Sequence, residues 1–149
     1  MTGFRSTAAL GALLAAGLLF AGCNTGTSPG ALPVPDFQAP LNTGFPLRAG
    51  DLGYVQGTGD YLYLSVQSIG VDGRCPPEST CDEPGFLQVI MEFETSESQG
   101  STGVQIASSG EAVVTFQGFE IRVLEVQPPV RATRIPPTDY IFLMSVSVR

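Results

Sequence analysis

The chain has no histidine, no tryptophan and no lysine, and only three of its 149 residues are cysteine. Without histidine, the Ser-His-Asp and Cys-His nucleophile arrangements are excluded. A cysteine pair with no imidazole lacks the further ligands that a tetrahedral zinc site needs. Without tryptophan, the buried indole that marks antibody-type domains is missing. Fourteen acidic residues stand against seven arginines, for a net charge of −7. Such a chain repels nucleic acid and anionic lipid heads. There is no amphipathic helical stretch, no internal repeat and no spacing that matches an EF-hand calcium loop. Neither an enzyme nor a cofactor or metal protein is expected.

What is present begins with a leader. Arg5 is its one cation, and residues 8–20 are an unbroken run of Ala, Leu, Gly and Phe. Thirteen apolar residues are too few for a comfortable membrane span, which needs about 20. A charged start, a short apolar run and small residues at the exit describe a secretory signal over 1–22. The exit, Phe20-Ala21-Gly22-Cys23, resembles a bacterial lipobox, with Phe20 where Leu is usual. The resemblance implies diacylation of the Cys23 thiol, cleavage before it, and palmitate-type chains that hold the protein on a membrane. Buried methylenes contribute about 0.8 kcal/mol each, so two or three chains anchor stably where one is marginal. Asn24, by analogy with sorting in two-membrane bacteria, favours the outer membrane.

If Cys23 carries lipid, an even pair remains. Cys75 and Cys81 have five residues between them, and in an exported protein they are expected to form a disulfide.

Residues 23–44 hold four prolines and three glycines with no apolar period. They are expected to be a flexible linker, about 25 Å long on average. Phe37 and Leu41 are isolated apolar residues within it. One domain follows, over 45–149. Residues 61–69 and 86–95 alternate apolar and polar, as half-buried antiparallel strands do. Shorter strands are expected at 45–49, 52–56, 104–107, 112–116, 119–126 and 140–148, with a polar loop over 96–103. Pro46 assigns the first of these to a sheet edge. Segment 127–139 carries four prolines and two arginines and cannot be a central strand. Seven or eight closely spaced strands predict an all-β antiparallel β-sandwich, immunoglobulin-like in architecture only. A small barrel is the alternative.

Asp72-Gly73-Arg74-Cys75-Pro76, the second cysteine Cys81, and Gly85 before the next strand resemble a group of small bacterial lipoproteins without known activity. Members carry Asp-Ser-Arg-Cys-Pro, a second cysteine and a Trp-Ala-Gly step. Here Gly73 replaces the serine, and Asp82-Glu83-Pro84-Gly85 replaces the aromatic step. The resemblance implies fold and envelope location.

Three features invite chemistry. Glu92 and Glu94 share one strand face, about 7 Å apart, too far to share a proton; they are read as solvated. Asp72, Glu78, Asp82 and Glu83 surround the cysteine loop. The expectation is a solvated acidic loop with Arg74 paired to one of them; a calcium site is the alternative. Arg131 and Arg134, among prolines, are candidate partner contacts. A proline-braced or stapled loop loses little entropy on binding, so a protease-inhibitor-like or small-ligand module using 75–81 and 127–139 is the alternative to an envelope binding or structural role.

Overall fold

Alternation gives each strand one apolar face, and here two sheets bury those faces against each other. The computed structural model describes residues 32–76, 79–129 and 134–149. The expected signal segment, Cys23, Glu78 and Arg131 lie outside the described residues. Pro33–Arg149 forms one unit. Among the described residues there are nine strands: β1 (Phe37–Ala39), β2 (Phe45–Arg48), β3 (Leu52–Gln56), β4 (Tyr61–Asp72), β5 (Phe86–Glu94), β6 (Gln99–Ala107), β7 (Ala112–Phe116), β8 (Phe119–Gln127) and β9 (Ile141–Val148). The five-stranded sheet runs β1-β3-β4-β5-β6 and the four-stranded sheet β2-β9-β8-β7. All pairings are antiparallel except β1 with β3. The architecture is the expected β-sandwich.

The core follows the alternation. Leu62, Leu64 and Val66 from β4 and Leu87, Val89, Met91 and Phe93 from β5 meet Ile121 and Val123 from β8 and Phe142, Met144 and Val146 from β9. Burying each such side chain contributes about 1.5–3 kcal/mol. A register shift between Val123 and Glu125 turns Val126 inward. That bulge extends the strand past the point where simple alternation fails.

Two expectations are corrected. The segment read as linker contributes β1, whose Phe37 ring lies 5.6 Å from that of Phe45 and covers Gly53, where a Cβ would sit 2.8 Å from the ring. The segment read as a polar loop over 96–103 is mostly strand. Gln99-Gly100-Ser101-Thr102-Gly103 pairs residue by residue with β5, and its backbone hydrogen bonds replace the missing apolar alternation.

The topology gathers the ends of β4, β6 and β8 and the starts of β5, β7 and β9 at one end of the sandwich. The cysteine loop and the proline-rich segment both emerge there.

Candidate functional site

Asp72 ends β4, and Arg74 follows two residues later. The guanidinium grips the carboxylate in a fork: Nε donates to Oδ1 at 2.9 Å and Nη2 to Oδ2 at 2.8 Å. From 68 residues further on, the Tyr140 hydroxyl donates to the same Oδ2 at 2.8 Å. The Arg74 guanidinium lies 5.9 Å from the centre of the Tyr140 ring, within range of a cation–π attraction. Only 4% of the Arg74 side chain is exposed, against 15% for Asp72. The three groups lock the root of the cysteine loop to the entry of β9.

The electrostatics follow the geometry. Burial raises the Asp72 pKa, but hydrogen bonds from Arg74 and Tyr140 outweigh it and the net shift is downward. Burial first, then the Asp72 carboxylate, push the Tyr140 phenol up to about 12. The Asp72 hydrogen bond first among the causes raises the Arg74 pKa. At neutral pH the arrangement is a buried ion pair capped by a neutral phenol.

Past this lock, Cys75 and Cys81 form the expected disulfide, with Cα atoms 6.1 Å apart. Gly73 and Gly85 bring the two arms of the loop together. The Gly73 amide donates to the Phe86 carbonyl, and a Cβ on Gly85 would fall 1.6 Å from the Gly73 oxygen. The Ser108 hydroxyl donates to the Gly85 carbonyl at 2.7 Å, tying the turn after β6 to the loop. Glycine at 110 supplies the positive φ of +87° which that turn requires. Across from it the chain enters 127–139 through a cis Gln127–Pro128 peptide. Arg74 and Cys75, residues 108–110, and Glu125, Val126 and Pro129 enclose an open cleft of about 260 Å³.

The structure therefore brings Cys75 of the cysteine loop and Pro129 of the proline-rich segment to one cleft. Arg134 is exposed, and the chain after it is braced, because Arg48 Nη1 donates to the Thr138 carbonyl at 3.4 Å and Tyr140 is held by Asp72. Among the described acidic residues around the loop, Asp72 is the one that pairs with Arg74, and both its oxygens are occupied. Among the described residues no group of three His, Cys, Asp or Glu side chains is placed to hold a metal ion. Tyr140 is not legible in the sequence as a partner of Asp72, because that contact depends on how β4 in one sheet faces β9 in the other.

Comparison with known proteins finds no matching family model, no matching curated protein and no matching solved structure.

Proposed function

We propose that this chain is a lipid-anchored lipoprotein of the bacterial cell envelope whose β-sandwich is a non-catalytic binding or structural module. The observation that carries the location is the Cys75–Cys81 disulfide. Such bonds persist in oxidising, extracytoplasmic compartments and are rare in the cytosol. With that pair consumed, Cys23 is the one remaining thiol, and it stands in the lipobox-like context. Asn24 favours the outer membrane. The module reading rests on the locked loop end. Its walls are fixed by an ion pair, a disulfide and prolines, so a partner seated there orders little that is not already ordered. The test is incorporation of labelled palmitate into the wild type and into Cys23→Ser, with membrane fractionation. Label and membrane association that vanish in the variant support the reading; a soluble, unlabelled wild type overturns it. Crosslinking and pull-down from native envelopes then identify what the loop end contacts.

A second reading has one observation in its favour. Arg134 is exposed on a segment braced downstream at Thr138 and Tyr140, as an inhibitor presents a basic residue to a trypsin-like protease. Cleavage of that segment by a protease panel without inhibition sinks it.

A further inference from the structure

The outer face of the five-stranded sheet carries three tyrosines in mutual contact. Register sets Tyr54 of β3 opposite Tyr63 of β4 and Tyr63 opposite Glu94 of β5, with Ser65 opposite Glu92. Ring centres lie 5.0 Å apart for Tyr54 and Tyr63, 5.4 Å for Tyr61 and Tyr63, and 6.1 Å for Tyr54 and Tyr61. Tyr63 stands edge-on to both neighbours and is 5% exposed, although its face of the sheet points away from the core. Its hydroxyl hydrogen-bonds to no described residue, yet it is not sealed off from solvent. Beside it lies a notch of about 50 Å³, lined by Tyr63, Glu92, Glu94 and Leu52 among others.

Charge on this face is one-sided. No strand of the five-stranded sheet contains an arginine or lysine. The three ion pairs among the described residues all lie elsewhere. Glu120, on the other sheet, is gripped by Arg122 and Arg149 at 2.5 and 2.8 Å. Glu92 and Glu94 are half-buried and have no such partner among the described residues. Burial first, then the neighbouring tyrosines and Glu94, hold the Tyr63 phenol neutral by raising its pKa.

We propose that the notch at Tyr63, Glu92 and Glu94 binds the ammonium head of a lysine side chain from a polypeptide partner. Two carboxylates supply charge-assisted hydrogen bonds, and Tyr63, the tyrosine that lines the notch, supplies an aromatic ring of the kind that attracts cations. A pocket needs about 10–15 Å³ of such space to hold one water molecule, so the notch has room for an ammonium group. It opens onto a broad sheet face, so the aliphatic stem and flanking peptide have a surface to lie on. The chain itself contains no lysine, so a second copy cannot supply the group. The site is on a different face from the loop-end cleft and stands whether or not Cys23 carries lipid.

The test titrates the full-length protein with acetyl-Gly-Lys-Gly-amide while NMR follows the tyrosine ring signals. Acetyl-Gly-norleucine-Gly-amide, butylammonium chloride, sodium chloride and calcium chloride are run alongside. The expected result is a saturable shift of Tyr54, Tyr61 and Tyr63 signals with the lysine peptide, at least tenfold weaker with norleucine, and weakened about tenfold or more in Glu92→Gln/Glu94→Gln. Circular dichroism checks that the variant keeps its fold; a variant that fails to fold is replaced by Ser65→Lys, whose own ammonium is placed beside Glu92 and is expected to compete the peptide away. An equal response to norleucine, or to sodium chloride at matched ionic strength, overturns the proposal. Butylammonium binding as tightly as the peptide overturns the polypeptide assignment in favour of small amines. Calcium displacing the peptide at equal concentration overturns it in favour of a metal.

Discussion

Replacing Asp72 by asparagine removes the negative charge that Arg74 faces while keeping the shape of the side chain. The Arg74 guanidinium is left with 4% of its side chain exposed and no ion-pair partner among the described residues. Breaking one partner out of a buried ion pair costs about 3–5 kcal/mol. Asp72 is at the edge of the lock, 15% exposed, so water relieves part of that, and we expect about 2–4 kcal/mol. For a domain of this size the loss corresponds to a fall in Tm on the order of 10 °C. The assay is urea denaturation at pH 7, comparing midpoints at constant m-value. Asp72→Asn/Arg74→Met supplies the discriminating arm. It removes both charges and fills the space with an apolar side chain, which for a buried pair is often neutral or stabilising. The double variant is therefore expected to be more stable than Asp72→Asn alone. The pH dependence has a definite sign. Folding lowers the Asp72 pKa, so its contribution is complete above the ordinary carboxylate range. It is lost as pH falls through the lowered folded value, and the variant lacks that acid-side arm. A loss below about 1 kcal/mol, the range of an exposed pair, or a double variant no more stable than Asp72→Asn alone, refutes the reasoning.

Other outcomes follow from the same end of the sandwich. Because folding raises the Tyr140 phenol to about 12, its contribution is complete below the free value near 10 and is lost as pH climbs towards 12; Tyr140→Phe is expected to flatten that alkaline arm in a stability–pH profile. Cys75→Ser/Cys81→Ser opens a loop of about seven residues and is expected to cost about 2 kcal/mol in the chain-entropy model, read as a drop in urea midpoint that added reductant does not deepen. Gly85→Ala forces a Cβ to within 1.6 Å of the Gly73 oxygen, so the loop arms must part; about 3 kcal/mol of lost stability is expected, with weakened amide-exchange protection at Gly73.

How much of this was legible in the chain depended on how local the signal was. β4 and β5 are written in alternation, since Leu62, Leu64 and Val66, and Leu87, Val89, Met91 and Phe93, each recur at every second residue. Pro46 placed β2 at an edge and the prolines of 127–139 kept that segment out of the sheets. β6 is only half legible because Gln99 to Gly103 offers no apolar periodicity; its strand state is imposed by β5. β1 is not legible because three residues pairing in parallel with β3 leave no local signature. At the candidate site, a partner for Arg74 was foreseeable from the surrounding acids. Its identity as Asp72 was not, because several acids lie equally near in the chain, and the Tyr140 cap was not, because it depends on a contact between sheets. Likewise Glu92 and Glu94 read as solvated until the strand register set Tyr63 beside them.

This sandwich is proposed to be an exported domain held on a membrane by lipid at Cys23. Intact mass of the protein purified from its native membranes tests it most directly. The proposal predicts a chain starting at Cys23, carrying two or three acyl groups and lacking two protons for the Cys75–Cys81 bond. A chain starting at Met1, unacylated and with three thiols free to react, contradicts it.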